Sequence, residues 1–569
     1  MFKIKDYENS LQKLSHLLIH FPKHPEILNK LAQINLIKSE FIEAIKLMQQ
    51  SLNADPYQYH ILNDIALAFK NIGDNSKAIE YLDKSIQINP NYFDAFFNRA
   101  LIKKNIGHYR EAILDYSHAI KIQPNNFLSK LNLANVYLEL GELELGLNII
   151  NTLIDNGIST AEIFYNQGIF YQKLRKSEKA LLSFDKALEL NDKYLEAIIN
   201  KAITLQDLNK TNDAITLLEH LISSDIADIN KINIRNLSSQ NISTFDNSKQ
   251  ASNELANLIH NARFNLGLMY LYIKRFDLAW EFYESRWFTT PQISKRYITN
   301  KSELSDIKSC KNKTLLIWGE QGIGDQIFYF SMIEYFLAFD IKLIVAIDRR
   351  LIHLFQRNRN DIKFVALDDN LNNEIFDYHI PIASLGKFFK TSLNDLNRQK
   401  PYLFPDKFKS SKLKNQLKVN GKIICGLSWK SSNKKYGKDK SINLAELKDI
   451  LSNPSFIFIN IQYGDVKNEI EEIKQNFNTE IKILNDIDIY NDIDSLASII
   501  DMCDLIISTS NLNVHIAGAL GKKTCLIHKD FSKDIWYWHE NDSISAWYPS
   551  INIFRQGSLL DLNTFIDNI

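Results

Sequence analysis

Glycine and proline are scarce in this chain of 569 residues, which contains 18 glycines and 11 prolines. Glycine makes up about 3% of the sequence, against roughly 7% in an average protein. At that frequency, chance is a poor explanation for three glycines within the six positions Gly319 to Gly324. This cluster is therefore the first local feature that calls for an interpretation.

Cysteine is also scarce, and the four cysteines lie far apart and form no C-x-x-C motif: Cys310, Cys425, Cys503 and Cys525. Three of them fall in apolar patterns typical of strands or helices. Disulfides and a structural metal site are disfavoured by this spacing. We expect buried thiols in a reducing cytoplasm.

Long apolar runs and an excess of charge of either sign are both absent. No run approaches the roughly 18 residues of a membrane span, and Met1 to Asp6 contain no apolar signal core. We therefore expect a cytoplasmic protein without a signal peptide or transmembrane helix. The 67 basic and 67 acidic residues cancel, which disfavours a broad surface for nucleic acid.

A repeat of 34 residues is the main feature of the first half. Two sets of small residues keep this step, twelve positions apart: Ala32, Ala66, Ala100, Ala134, Gly168 and Ala202, and Ala44, Ala78, Ala112, Gly146, Ala180 and Ala214. The same step separates Pro22, Pro56, Pro90 and Pro124, and also Gly73, Gly107 and Gly141. Small residues in this pattern indicate pairs of antiparallel helices that approach closely, with a glycine C-cap between them.

This pattern resembles the tetratricopeptide repeat. It predicts an α-solenoid over residues 1–222, with six units from about Pro25 to Leu221. Gly267 and Ala279 are again twelve positions apart and predict a last repeat at 260–290. Between them, residues 223–259 are expected to form an insertion or mobile loop.

Asparagines recur on the predicted first helices at nearly the same step: Asn63, Asn98, Asn132, Asn166 and Asn200. In tetratricopeptide arrays such a ladder often contacts an extended peptide, so the resemblance implies a protein or peptide partner. The alternative is that the abundance of asparagine in this sequence produces the ladder without a function.

From Lys313 onward, short apolar segments alternate with helical ones, which predicts α/β structure. The predicted strands are Thr314–Trp318, Lys342–Ile347, Ile362–Ala366, Lys422–Ser428, Phe456–Gln462, Ile481–Leu484, Leu505–Ser508 and Lys523–His528. The length suits two open sheets, at 313–405 and 406–569, after a linker at 291–312. Such sheets bind ligands at the carboxyl ends of their strands.

The glycine cluster lies in Gly319–Gln326, G-E-Q-G-I-G-D-Q, between the first strand and a helix predicted over Gln326–Phe339. A strand, a glycine-rich turn and a helix together present backbone N–H groups and a helix dipole to an anion. A tight turn without a ligand is the alternative.

Two further segments follow in order: Ile424–Lys430 with Lys440–Leu444, and Ser508–Gly521 with a tail around Trp547 and Phe554. Together with Gly319–Gln326 they resemble the heptosyltransferase-like glycosyltransferases of family 9, in the branch with N-terminal tetratricopeptide repeats. The resemblance implies a GT-B fold, a pair of Rossmann-type domains of which the second binds the donor.

In that family the G-x-G-D loop presents a general base to the acceptor hydroxyl, and Asp325 stands at its position. Lys440 stands where a basic residue faces the donor diphosphate, and Lys430 lies in the same loop with Lys434, Lys435 and Lys438. The alternatives are a helix cap for the aspartate and a solvated surface loop for the lysines.

The third segment implies that His515 is catalytic and that Ser510, Asn511 and Gly518 join Gly322 and Gly324 in binding the donor diphosphate. Many family members carry aspartate and threonine at the positions of Ser510 and Asn511, so this sequence departs from the pattern there. For His515 the alternative is a histidine that packs its helix against the sheet.

Two functions from different classes follow. The first is a metal-independent glycosyltransferase that has a nucleotide-diphospho-sugar as co-substrate and needs no cofactor, with a protein acceptor presented by the repeats. The second is a non-catalytic scaffold with a degenerate glycosyltransferase-like domain. A nucleotide-binding oxidoreductase is disfavoured, because the loop reads G-x-x-G-x-G-D and not G-x-G-x-x-G.

Overall fold

The computed structural model describes residues 2–236, 247–289, 296–357, 359–371, 374–388, 400–417, 421–431, 437–528, 535–539, 542–555 and 559–567. The chain forms two compact units. The first comprises residues 1–209 with 235–252, and the second comprises residues 210–234 with 253–569.

Antiparallel helix pairs build the first unit. Its helices are α1 (Phe2–His20), α2 (Pro25–Ile37), α3 (Phe41–Ala54), α4 (Tyr59–Asn71), α5 (Asn75–Ile88), α6 (Phe93–Asn105), α7 (Tyr109–Ile122), α8 (Phe127–Leu140), α9 (Leu143–Asp155), α10 (Ala161–Lys173), α11 (Ser177–Leu190) and α12 (Leu195–Asp207). The periodic alanines of these helices have no exposed surface, as the close approach of paired helices requires.

The turn inside each pair has a left-handed residue at the same place in the repeat. Glycine fills it at Gly73, Gly107 and Gly141, with φ between 76° and 86°. In other repeats Ser39, Arg175 and Asn209 stand at the equivalent position, with φ near 60°. The 34-residue period thus extends to backbone conformation even where the residue type changes.

The second unit begins with helices: α13 (Thr211–Asn236), α14 (Asn247–Tyr272) and α15 (Phe276–Tyr283), followed by a 3₁₀ turn at Glu284–Trp287. The predicted insertion at 223–259 is therefore helical at both ends, while residues 237–246 of it lie outside the described part. At Gly267 an added Cβ would lie 2.7 Å from the Tyr283 nitrogen, so α14 and α15 are in close contact.

The first sheet is parallel, with strands β1 (Ser302–Glu303), β2 (Thr314–Trp318), β3 (Lys342–Ile347), β4 (Ile362–Ala366) and β5 (Tyr378–Pro381) in the order β1-β5-β2-β3-β4. Its helices are α16 (Ile323–Phe330), α17 (Ile333–Leu337) and α18 (Ile352–Gln356). The strand order reverses between β2 and β5, and the carboxyl ends of these two strands flank the crevice where open α/β sheets bind ligands.

The second sheet is also parallel, with strands β6 (Ile423–Ser428), β7 (Phe456–Asn460), β8 (Ile481–Lys482), β9 (Leu505–Thr509), β10 (Thr524–His528) and β11 (Ile551–Arg555). Its order, β8-β7-β6-β9-β10-β11, is the 3-2-1-4-5-6 order of dinucleotide-binding folds. The helices here are α19 (Lys407–Gln416), α20 (Gly437–Lys440), α21 (Lys448–Leu451), α22 (Lys467–Phe477), α23 (Ile493–Met502), α24 (Leu512–Ala519) and α25 (Leu559–Asp567).

All eight predicted strands are present, with ends that shift by up to two residues. Three short strands were not predicted, and β1 lies in the segment expected to be a linker. The helix predicted over Gln326–Phe339 was wrong in its bounds. It starts at Ile323, ends at Phe330 and resumes as α17, so that Asp325 lies inside α16 and not before it.

The stretch around Tyr402 joins the two sheets. The Tyr402 hydroxyl donates to the Ile327 carbonyl at 2.9 Å, and the Tyr402 amide donates to the Ala519 carbonyl at 3.0 Å. The Tyr402 side chain is buried, with 7% exposure. One residue thus ties the helix after β2 to the helix after β9.

We predict that Gly168→Ala destabilises the repeats by about 1–3 kcal/mol, because overpacking strains a filled core. An added Cβ at Gly168 would lie 2.5 Å from the Phe184 ring, which has no exposed surface to move into. Urea unfolding followed by far-UV circular dichroism measures the change.

The Phe184→Leu background is the control, because the smaller side chain makes room for the methyl group. There, Gly168→Ala should cost less than in the wild type. Equal costs in both backgrounds contradict this packing account.

Candidate functional site

The two sheets are in contact through one helix of each. Helix α16 follows β2, helix α24 follows β9, and the two helices pack together. At Gly324 an added Cβ would lie 3.0 Å from His515 Cδ2, and the rings of Phe328 and His515 lie 6.3 Å apart. Gly324 thus allows the close approach that brings the first segment of the family resemblance onto the third.

Asp325 is the third residue of α16, and its carboxylate caps the helix by accepting from the backbone of Gly322, which has no side chain to complete a reciprocal capping box. The Gly322 amide donates to Asp325 Oδ2 at 3.0 Å, so the capping alternative is correct as a description of this bond. The side chain is partly exposed. Burial raises the pKa of the carboxyl above its ordinary value, while the Gly322 amide and Lys440 lower it in part. A carboxylate with a raised pKa is suited to accept a proton.

Lys440 approaches this carboxylate from the second sheet. It ends the short helix α20 in the loop after β6, and its ammonium acts on the pKa of both Asp325 and His515. The structure therefore brings together three residues that are 75 or more positions apart in pairs. Lys434 and Lys435, and the side chain of Lys438, lie outside the described part of the chain.

His515 is buried against Gly324, with 3% exposure. Its Nδ1 shares a hydrogen bond of 3.2 Å with the Tyr548 hydroxyl, and its ring stacks on Trp538 at 5.7 Å. Burial lowers the pKa of His515 to about 3, and Lys440 adds to the effect. The imidazole is therefore neutral near pH 7, and its packing role is evident whether or not it has a catalytic one.

Ser510 and Asn511 lie at the start of α24 in the crevice of the second sheet. Asn511 caps the helix, since its Oδ1 accepts from the Asn513 amide at 2.9 Å. Its Nδ2 donates to Ser428 Oγ at 2.7 Å and to the Lys430 carbonyl at 3.0 Å. The Ser510 hydroxyl accepts from Trp538 Nε1 at 3.0 Å. With the Asn511 amide committed, the backbone N–H groups of α24 are the better candidates for an anion.

Lys430 and Gly518 have contacts that favour structural roles. The Lys430 ammonium pairs with the Glu469 carboxylate, although the lysine side chain is 43% exposed. Gly518 lies in the second half of α24, where an added Cβ would lie 2.5 Å from the Tyr548 ring. Gly518 therefore makes room for Tyr548, away from the helix end where an anion would bind.

A buried polar network at the reversal of the second sheet was missed by the sequence reasoning. Gln462 Oε1 accepts from Ser428 Oγ at 3.0 Å and from the amides of Trp429 and Lys430 at 3.0 and 2.8 Å. Asn513 Nδ2 donates to Ser428 Oγ and to the Ile461 carbonyl, both at 2.9 Å. These bonds fix the turn after β6. The signal in the sequence was a polar residue just past each of two apolar strands.

Phenol groups surround the aspartate. Burial raises the pKa of Tyr329, Tyr537 and Tyr548, and the Asp325 charge raises each of them further. All three are thus protonated near neutral pH. They give Asp325 a wall of low polarity, which is the physical cause of its own raised pKa.

The five predicted asparagines lie on α4, α6, α8, α10 and α12; four of them are 34 residues apart, and Asn63 is one residue before the matching position. Asn63 Oδ1 accepts from Asn98 Nδ2 at 2.9 Å. Three others donate to the carbonyl four residues earlier at 2.8 to 3.0 Å: Asn132, Asn166 and Asn200. Asn63 and Asn166 are buried, with 4% and 8% exposure. Much of the ladder's hydrogen-bonding capacity is used inside the array, and its contact with a peptide stays a prediction.

Within the described ranges, no group of three or more His, Cys, Asp or Glu side chains is arranged to hold a metal ion. In that same part of the chain, no helix combines the length and apolar character of a membrane span. All four cysteines are buried free thiols, as predicted.

Family profiles described as tetratricopeptide repeats match residues 81–113 in one case and residues 59–92 and 161–194 in another. The matched ranges cover α4–α6, the start of α7, and α10–α11. The repeats predicted from the 34-residue period are confirmed, and the first half is a module of the protein-binding type.

Two relatives in sequence are found. The chain is 23% identical over 440 residues to the protein FlbA of Caulobacter vibrioides, which covers 74% of this chain and 68% of FlbA. It is 52% identical over 61 residues to an uncharacterized protein of Methanocaldococcus jannaschii, which covers 11% of this chain and 71% of that one. Since residues before Lys313 are little more than half of the chain, the first match includes part of the α/β region.

Among the solved structures with local similarity, some are described as tetratricopeptide repeat proteins. MamA of Desulfovibrio magneticus RS-1 has a TM-score of 0.28 at 16% identity and covers 30% of this chain and 96% of its own. A tetratricopeptide repeat protein of Parabacteroides merdae has a TM-score of 0.35 at 15% identity, with 45% and 94% covered. YrrB, described as having an unusual peptide-binding site, has a TM-score of 0.29 at 16% identity, with 32% and 95% covered.

We predict that Gln462→Leu lowers the stability of the second unit by about 2–3 kcal/mol, because two buried backbone N–H groups lose their acceptor. All seven tryptophans lie at or after Trp280, so tryptophan fluorescence during urea unfolding reports on this unit.

Gln475→Leu is the matched control. Gln475 lies on the exposed side of α22, where its side-chain amide donates to the Glu471 carboxylate at 3.2 Å. Its replacement should change stability by no more than about 0.5 kcal/mol. Equal effects of the two substitutions contradict the role given to Gln462.

Proposed function

We propose that this protein is a glycosyltransferase that moves a sugar from a nucleotide-diphospho-sugar to a hydroxyl of a protein held by the repeats. The observation that carries the proposal is the packing of α16 on α24, in which Gly324, the residue before Asp325, lies against His515. A carboxylate with a raised pKa stands at the crevice of one sheet, and a cation from the crevice of the other sheet acts on it. A base and a cation across two Rossmann-type crevices suit sugar transfer.

In the proposed reaction the acceptor oxygen attacks the anomeric carbon and its proton passes to Asp325. The bond from that carbon to the diphosphate oxygen breaks, and the diphosphate leaves with the electron pair. Asp325 is suited to this step because it is partly exposed and its Oδ2 is already anchored by Gly322. Its raised pKa brings its basicity nearer to neutral pH.

The diphosphate gains negative charge as it leaves, so its site needs positive potential. Lys440 and the first backbone amides of α24 offer this without a metal ion, since α24 starts at the carboxyl edge of β9. His515, neutral and buried, lies on the same helix and feels the charge of Lys440. Ser510 lies beside the same helix end and holds Trp538 in place.

A scaffold without turnover is the second candidate, and two observations favour it. The Asn511 amide and the Lys430 ammonium, both expected to bind the donor, make contacts inside the protein. The matches to family profiles also fall in the repeats alone. In this case the repeats bind a partner protein and the sheets serve as a folded platform.

The central prediction is that the wild type releases sugar from at least one donor in a panel of nucleotide-diphospho-sugars, and that Asp325→Asn lowers kcat at least about a hundredfold. Asparagine keeps the shape and the bond to Gly322 but cannot take a proton. General-base catalysis contributes roughly 10²–10⁴-fold, which sets the expected loss. Donor turnover is measured by release of the nucleoside diphosphate.

Asp340→Asn is the matched control, since Asp340 is exposed at the amino end of β3, and its φ of 54° suits asparagine equally well. It should retain wild-type turnover. A wild type that neither binds nor turns over any donor rejects the enzyme in favour of the scaffold.

A second prediction concerns pH. The base must be deprotonated, so kcat/KM should fall as the pH drops through the raised pKa of Asp325. Lys440 lowers that pKa, so Lys440→Met should raise it and move the acid limb of the profile to higher pH. The same substitution should lower kcat, because the leaving diphosphate loses a cation.

Lys448→Met provides the comparison, since Lys448 belongs to α21 and is not among the groups that act on Asp325. Its acid limb should coincide with that of the wild type. If the acid limb of the kcat/KM profile lies at the same pH in Lys440→Met as in the wild type, Asp325 is not the titrating base.

A further inference from the structure

One arginine from the turn after the helix pair α14 and α15 lies at the crevice of the first sheet. Arg286 belongs to the 3₁₀ turn after α15, and its side chain has no exposed surface. Its guanidinium lies 4.9 Å from the Tyr283 ring centroid and 4.3 Å from that of Trp287. A buried cation in an aromatic setting costs free energy unless it is fully paired.

The pairing reaches both strands that flank the crevice. Arg286 Nε and Nη2 donate to the Glu320 carboxylate at 3.1 and 2.7 Å, in the two-pronged geometry that lysine does not reproduce. Nη2 also donates to Ser384 Oγ at 2.7 Å, and Nη1 donates to Glu284 at 2.5 Å. Glu320 follows β2 and Ser384 follows β5, so Arg286 spans the point where the strand order reverses.

A second anchor from the same helix pair holds the next residue of the loop. The Tyr283 hydroxyl accepts from Gln321 Nε2 at 2.8 Å and shares a hydrogen bond of 2.9 Å with the Tyr329 hydroxyl. Gln321 has a φ of 59°, in the left-handed region that a non-glycine residue rarely occupies. Such a conformation persists where its surroundings hold it in place.

Only Gly322, Ile323 and Gly324 separate these anchored residues from Asp325. We propose that Arg286 is a positioning residue for Asp325: it fixes the Glu320–Gln321 turn and thereby sets where the carboxylate stands in the crevice. This inference rests on the proposed function. It makes α14 and α15 part of the machinery of the sheets and not only the last repeat of a binding array.

The charges around Asp325 give the inference a second consequence. The titratable groups that act on this carboxylate or feel its charge come from both sheets and the loops after them: Glu320, Lys440, Tyr329, Tyr537 and Tyr548. Glu320 raises the pKa of Asp325. The Arg286 cation compensates that negative charge, so its removal should raise the pKa further.

Three variants separate geometry from charge. Arg286→Lys keeps the positive charge but loses the two-pronged hydrogen bonding to the Glu320 carboxylate. We therefore expect kcat to fall about ten- to a hundredfold with little change in KM for the donor. Its acid limb should stay near that of the wild type. Arg286→Met loses the charge as well as the two-pronged geometry, so the acid limb of its kcat/KM profile should also move to higher pH. Tyr283→Phe keeps Arg286 and removes the hydroxyl that anchors Gln321 and bonds to Tyr329, so it should lower kcat without moving the acid limb through a change of charge.

Arg275→Met is the matched control, because Arg275 starts the same helix, is 53% exposed and pairs with Asp277 on the surface. Hydrogen–deuterium exchange of each variant reports whether the loop at 319–325 loosens while the sheets stay protected. The donor used is the most active one in the wild-type panel.

The expected result is faster exchange confined to 319–325 in Arg286→Lys, together with the loss of kcat. If the wild type turns over a donor and Arg286→Lys has the same kcat and the same exchange at 319–325, the inference is overturned. The proposed function is then left intact. A wild type without turnover on any donor overturns the proposed function, and the inference falls with it.

Discussion

The packing of α16 against α24 is the constraint on which the rest of the site depends. These two helices begin at the carboxyl edges of different sheets, and they contact each other where Gly324 of α16 lies against His515 of α24. A Cβ at Gly324 would lie 3.0 Å from the imidazole, so the ring would have to shift by a few tenths of an ångström to admit a larger residue. The cation of Lys440, from the loop after β6, acts on the carboxyl of the next residue, Asp325.

The strands that could be predicted were those with an apolar run that is clearly distinct from the more polar residues on either side of it. The three that were missed are short or carry signals of another kind: β1 has two residues, β5 ends in Pro381 and β11 alternates buried with half-buried residues. Their places are set by the neighbouring strand, which supplies the hydrogen-bonding partner. The 34-residue repeat was predictable for the opposite reason, since each unit meets the same local requirement.

The site was predictable where its residues lie in motifs and unpredictable where its residues support them from a distance. Asp325, Lys440 and His515 stand in or beside the glycine-rich and strand-end segments; the charge of Lys440 acts on the other two, and the roles of all three stay predictions. Gln462 and Arg286 lie far away in the sequence, in stretches where a single polar residue has many explanations. Only the fold shows that each is buried and paired, with 2% and 0% exposure.

The two roles of Asp325, helix cap and proposed base, are compatible because they use different oxygens. Oδ2 accepts from the Gly322 amide, which leaves Oδ1 to take a proton. A carboxylic acid protonated on Oδ1 still accepts through Oδ2, so α16 keeps its cap while the base holds the proton. The bond to Gly322 also favours the charged form and limits how far burial raises the pKa. A base held in this way returns to its starting geometry when the proton leaves, without any rearrangement of the helix that carries it.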